Sequence, residues 1–229
     1  MPYSVLVVAG ASPVNDTLVK ALKSEFEIQT VKLAHQAVKA LNVKAPDLIL
    51  LDPDLPDMPG LTFLQVLRET QEGKDLPVIF MSAQKTEDSV ARAFALGVDD
   101  YVARPVDPRE MAVRIRAVLR RKYERPQHWG STLAVGKIFI DPSQRLCQLD
   151  GKSVALRPME FALLEIMMRK SGRVLTRRYL LETVWDMSDS AQTRAVDVMV
   201  SRLRKRLGPR EAKLIETVSK LGYRLKNPG

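Results

Sequence analysis

The sequence contains a single cysteine, Cys147, and only two histidines, His35 and His128. One thiol excludes an intramolecular disulfide framework and fits a reducing, cytoplasmic location. Neither histidine has a cysteine or carboxylate at metal-ligand spacing, so both are read as structural and no metal is expected. Long apolar runs are also missing. None approaches the roughly 18 to 20 residues that a membrane span needs, which removes the bilayer as a partner. The amino terminus lacks a basic segment followed by an apolar core and a small-residue cleavage site, so no secretory signal is expected. Glycines are scarce where a nucleotide would require them. The first apolar run, "VLVVAGASP", supplies Gly10 alone, against the three glycines of a dinucleotide loop or the Gly-Lys-Ser/Thr ending of a phosphate loop. A nucleotide-dependent enzyme is therefore a remote alternative, and neither a cofactor nor catalytic residues are expected.

What is present is enough chain for two domains, at 229 residues, with 45% hydrophobic and 28% charged residues. The net charge of +9 is unevenly placed: residues 1–131 carry 17 basic and 17 acidic side chains, whereas 132–229 carry 19 and 10. A basic second half beside a neutral first half fits a module for a polyanion, most economically nucleic acid. On charge alone, a solvated basic surface without a partner stays open.

In the first half, apolar runs at 4–8, 48–52 and 77–81, with weaker ones at 27–31 and 100–103, alternate with segments of helical spacing near 14–24, 34–44, 60–70, 87–96 and 107–122. Strands that are apolar throughout and alternate with helices predict an α/β domain, a doubly wound parallel sheet covered on both faces. In such a sheet the ligand site lies beyond the carboxyl ends of the strands. Those ends read Ala9-Gly10-Ala11, Asp52, Ser82-Ala83 and Arg104-Pro105. The segments "PDLILLDPDLPDMPG", "PVIFMSA" and "GVDDYVARP" resemble the receiver domain of bacterial response regulators over about 120 residues, in the same order and spacing. The resemblance implies that Asp52 stands at the phosphoacceptor position, that Ser82 follows the phosphate, and that Tyr101 and Arg104 complete the switch.

Two positions depart from the family. Two adjacent acids normally follow the first strand where this sequence has Ala9 and Gly10, and a lysine normally precedes the proline where it has Arg104. The acids hold Mg²⁺, a hard cation bound by carboxylate and phosphate oxygens, so their replacement leaves Asp52 as one carboxylate. Asp54 and Asp57 on the following loop are the available substitutes. Arg104 is read instead as a direct partner of Asp52, neutralising it without metal or phosphate. The expectation is an atypical receiver that works without phosphorylation and without a cognate histidine kinase. A conventional switch phosphorylated on Asp52 is the competing reading.

The resemblance further implies a homodimer through the receiver face that carries Asp99, Asp100, Glu110, Arg114 and Arg121. Asp99 with Arg121 and Asp100 with Arg114 are the pairs expected between subunits. Val90 and Ala95 stand where charged partners are normal. Such pairs set orientation more than affinity, and a solvated charged face is the alternative.

Residues 1–122 are thus assigned to the receiver-like domain, 123–131 ("KYERPQHWGS" from Lys122) to a linker without periodicity, and 132–229 to a second domain. The second domain opens with strand-like runs "KIFID" and "RLCQLDG". Three helices follow, from Pro158, from a cap at Thr176 and from about Arg194, and a hairpin of "LIETV" and "GYRLK" closes it. That order is a winged helix-turn-helix. "MEFALLEIM", "RVLTRRYLLETVW", "RAVDVMVSRLRKRL" and "ETVSKLGYRL" resemble the DNA-binding domain of OmpR/PhoB-type regulators over nearly 100 residues. In the third helix Val196, Val200, Leu203 and Leu207 recur at helical spacing and predict a core stripe. Opposite them lie Arg194, Val198, Ser201, Arg202 and Lys205, flanked by Arg204 and Arg206. This face suits the major groove of double-stranded DNA: Arg202 and Val198 for base edges, Arg204, Lys205 and Arg206 for phosphates. Lys220 marks the hairpin tip, where the family commonly has arginine followed by glycine. Relatives contact RNA polymerase through the segment corresponding to residues 186–192. The expected protein is a sequence-specific transcription regulator.

Overall fold

The computed structural model describes residues 2–83, 86–123, 131–185 and 193–227. They fall into two compact units that divide between Lys122 and Tyr123. Most of the expected linker, with His128, and all of 186–192 lie outside the described residues.

The first unit holds five strands, β1 (Ser4–Val8), β2 (Glu27–Val31), β3 (Leu48–Leu51), β4 (Val78–Ser82) and β5 (Asp100–Ala103), all parallel in the order β2-β1-β3-β4-β5. Five helices cover them: α1 (Pro13–Leu22), α2 (Ala34–Val43), α3 (Gly60–Glu69), α4 (Glu87–Leu96) and α5 (Pro108–Tyr123). The strongest apolar runs become the central strands, and every residue of β3 and β4 is buried. The weaker run at 27–31 becomes the edge strand β2, where Glu27, Gln29 and Thr30 are exposed. One face packs Val5, Val7 and Ala9 against Leu18 and Leu22 of α1 and Met111, Ile115 and Leu119 of α5.

Local signals set the helix ends. Ser12 caps α1 by accepting the N–H of Asn15 at 3.2 Å ahead of Pro13, and Thr86 with Ser89 forms a capping box on α4. Gly97 closes α4 at φ 100, a left-handed conformation that costs glycine little. The N–H of Asp52 bonds the carbonyl of Val8 at 2.9 Å, which brings the end of β3 beside the end of β1.

The second unit opens with an antiparallel sheet of β6 (Leu133–Val135), β7 (Ile138–Asp141), β8 (Leu146–Leu149) and β9 (Lys152–Ser153). The helices α6 (Pro158–Arg169), α7 (Arg177–Trp185) and α8 (Thr193–Glu211) follow, with β10 (Leu175–Thr176) between α6 and α7. A hairpin of β11 (Ile215–Val218) and β12 (Gly222–Leu225) completes the winged helix, and β10 adds to it in the order β10-β12-β11. The strands β6, β9 and β10 were not anticipated. Two or three residues carry no alternation to read, and only the pairing partner makes them strands. Regular helix in α8 ends at Leu207, since Gly208 (φ 77, ψ 169) and Pro209 interrupt it. Val196, Val200, Leu203 and Leu207 are buried as the spacing predicts. In the Gly151-Lys152-Ser153 triplet Gly151 lies in the β8–β9 turn and Lys152-Ser153 form β9, and Leu146 occupies the position of a phosphate loop's first glycine.

Gly60 begins α3 against the backbone of Asp52: a Cβ there would lie 2.2 Å from the Asp52 carbonyl oxygen. Gly60→Ala should therefore push α3 away from the Asp52 loop and lower stability by roughly 1–3 kcal/mol. Urea unfolding is expected to show a lower midpoint at unchanged slope.

Candidate functional site

The carboxyl ends of β1, β3, β4 and β5 converge on Asp52, which is buried. Its Oδ1 accepts the N–H of Asp54 at 3.2 Å. Its Oδ2 lies 2.9 Å from Arg104 Nη2, with no N–H aligned as a hydrogen bond, so the contact is an enclosed ion pair. The backbone N–H of Arg104 bonds the Ser82 carbonyl at 2.8 Å, which anchors the residue at the end of β4. Where β1 ends, Ala9 is part of the apolar core and the carbonyl of Gly10 accepts the side-chain amide of Asn15 at 2.8 Å.

Asp54 is exposed, and Asp57 is committed elsewhere. Desolvation raises the Asp57 carboxyl, but the N–H groups of Ala34 and His35 and the His35 ring outweigh it and hold the pKa at about 2. Asp57 thus caps α2. Among the described residues no group of three or more His, Cys, Asp or Glu is gathered in a way that could hold a metal. Tyr101 is fully buried, its ring 5.8 Å from that of Phe80 and its hydroxyl 3.1 Å from that of Ser89.

On the β5–α5 face the charges are largely engaged within the chain. Asp99 accepts the N–H of Val78 at 2.9 Å and lies 3.7 Å from Arg68. Asp100 meets Arg114 at 3.2 Å, and Arg114 also holds Glu110 at 2.7 Å. The expected Asp100 and Arg114 pair therefore exists inside one subunit. Arg121 is half-buried near the end of α5, and Val90 faces inward from α4. Burial pushes the Asp100 carboxyl up to about 6, against the opposing pull of Arg114 and of the Tyr101 N–H.

In the second unit Arg194, Ser201 and Lys205 are exposed on α8, and Val198 is half-exposed. Arg202 is turned inward: its Nη2 is 3.2 Å from Oε1 of Glu160, a carboxylate of α6 that is wholly buried. Arg204 donates to the Ile215 carbonyl at 2.7 Å and the Thr217 hydroxyl at 2.9 Å and stacks on Tyr223, so it braces α8 against β11 and β12. Asp197 accepts both Arg177 and the Tyr223 hydroxyl at 2.7 Å, tying α7, α8 and β12 together. Burial and the Asp197 carboxylate push the Tyr223 phenol up to about 12. Lys220 is exposed at the tip of the β11–β12 turn, with φ 60. Glu160, Asp197 and Tyr223 were not singled out from the sequence. The one available signal was Glu160 three residues after Arg157, a capping spacing ahead of an apolar run.

A doubly wound domain with an aspartate at the end of its third strand, joined to a winged helix with a basic face on its third helix, defines a DNA-binding transcriptional response regulator. Comparison with known proteins agrees. The response regulator receiver domain model matches residues 5–116, and that of the C-terminal domain of transcriptional regulatory proteins matches 151–225. The chain is 34% identical over 222 residues to the phosphate regulon transcriptional regulatory protein PhoB of Pseudomonas aeruginosa, covering 96% of each. To the DNA-binding response regulator MtrA of Mycolicibacterium smegmatis it is 34% identical over 231 residues, covering 100% of this chain and 99% of that one. The crystal structure of response regulator DrrB, a Thermotoga maritima OmpR/PhoB homologue, superposes with a TM-score of 0.52 at 26% identity, over 99% of this chain and 100% of that one. The chain belongs to the OmpR/PhoB-type response regulators. No helix among the described residues is long and apolar enough to cross a membrane.

Because the Asp100 carboxyl is raised in the folded chain, the folded state binds its proton more tightly than the unfolded state does. Its contribution to stability is present below about pH 4 and declines as pH rises to about 6. Urea melts of wild type and Asp100→Asn across pH 4 to 7 should show wild type losing stability relative to the variant through that window. Parallel curves would refute the assignment.

Proposed function

We propose that this regulator reads duplex DNA through α8 and the β11–β12 turn, as a homodimer joined through the receiver face, with an output that does not run on Mg²⁺-dependent phosphorylation of Asp52. The observation that carries the reading is the enclosed pair of Asp52 and Arg104 at 2.9 Å. Mg²⁺ in such a site would neutralise charge on a transferring phosphoryl group. The donor set does not fit that ion: Asp52 is one carboxylate, Ala9 and Gly10 offer none, and both Asp57 oxygens serve α2. A guanidinium already stands against Asp52, and a fixed cation beside the carboxylate makes the approach of Mg²⁺ unfavourable. Asp52 and Arg104 then act as a structural pair, and a histidine kinase has no chemistry to perform here. The chain acts by binding, as its transcription-regulator relatives do, and not as an enzyme.

Incubation with acetyl phosphate and Mg²⁺ followed by intact-mass measurement is expected to leave the mass unchanged. A stoichiometric gain of one phosphoryl group would overturn the reading in favour of a conventional switch.

Exposed lysine at the wing tip contacts phosphate or groove without reading sequence. Lys220→Ala should weaken binding similarly on every duplex and reduce the magnitude of the slope of log affinity against log salt by about 1. An unchanged slope would remove Lys220 from the interface.

A further inference from the structure

Glu160 is the third residue of α6, and its side chain is wholly enclosed. Oε2 accepts the backbone N–H of Arg157 at 2.9 Å, closing the first turn of the helix. That bond needs only an acceptor, which a glutamine would supply equally well. The charge needs another explanation, since a buried carboxylate is costly unless a cation answers it. The answer comes from α8: Arg202 Nη2 lies 3.2 Å from Oε1, and Arg206 Nε lies 3.8 Å from Oε2. Arg206 is half-exposed at its tip, whereas the Arg202 side chain retains 19% exposure.

Arg202 also belongs to the helix face that carries Arg194, Val198, Ser201 and Lys205. An arginine reads guanine only when its planar fork meets two acceptors at once, and a free side chain loses rotamer entropy in reaching that geometry. A carboxylate fixed behind the guanidinium removes part of that loss beforehand, in the way that preorganisation raises affinity and selectivity. We infer that Glu160 is a positioning residue for DNA recognition: it holds the Arg202 guanidinium from inside the domain, so that Arg202 presents a fixed fork to a base pair. The inference rests on the proposed reading of DNA by α8. Glu160 itself touches no DNA, and its effect passes through Arg202.

The test uses the full chain and a randomised duplex pool. Sequences bound by wild type are enriched, and affinities are then measured on the enriched duplex and on its single-base-pair variants. Arg202→Ala should lose about tenfold discrimination at one base pair. Glu160→Gln should lose most of the same discrimination at the same base pair, and the double variant should be no worse than Arg202→Ala alone. Arg202→Lys, which retains the charge without the fork, should lose the preference while keeping affinity for unrelated duplexes. Should the glutamine variant prove unfolded in a thermal melt, Glu160→Asp, with its charge withdrawn by one methylene, gives the same readout. A uniform fall in affinity on all duplexes would make Glu160 a structural brace only, and losses that multiply in the double variant would show that it does not act through Arg202. If wild type enriches no sequence at all, the reading of DNA by α8 fails, separately from the role of Glu160.

Discussion

A carboxylate removed from water must be met by a cation or by several donors, and this constraint recurs wherever the chain has a candidate functional surface. Asp52 faces Arg104, Asp100 faces Arg114, and Glu160 faces Arg202. In each case the partner is arginine, whose delocalised charge is less strongly hydrated than an ammonium and tolerates partial burial. The pairs also connect different elements: the end of β3 with the turn after β5, β5 with α5, and α6 with α8. Removing either partner would leave a buried charge uncompensated, so each pair is both a structural tie and a fixed electrostatic feature of its surface.

The receiver fold is built independently of acidic side chains at positions 9 and 10. The sheet order, the packing of α1 and α5 on β1, and the Val8 to Asp52 backbone bond all place the aspartate at the convergence of strand ends. None of that depends on acids at positions 9 and 10, because Ala9 joins the core and the Gly10 carbonyl is satisfied by Asn15. Packing and site chemistry are therefore carried by different atoms, so the scaffold does not dictate which side chains stand at the strand ends. In the winged helix, α8 is held in place by arginines of its own basic face. Arg204 braces β11, and Arg202 braces α6.

The sequence alone determined the architecture wherever apolar periodicity was long enough to read: the central strands, the receiver helices and the buried stripe of α8 from Val196 to Leu207. It also made plain that no carboxylate follows β1, because Ala9 and Gly10 are visible without coordinates. Tertiary structure decided everything that depends on a partner far along the chain. Two-residue β10 is a strand only because β12 lies beside it, and Asp57 is a helix cap only because α2 begins within its reach. Arg202 belongs to the basic face of α8 on a helical projection, and the fold also sets its guanidinium against a carboxylate 42 positions earlier. Periodicity tells which side of a helix is apolar, because burial follows the repeat of one element. It carries no information about which buried charge on another element a long side chain will meet, since that pairing is set by how the helices pack.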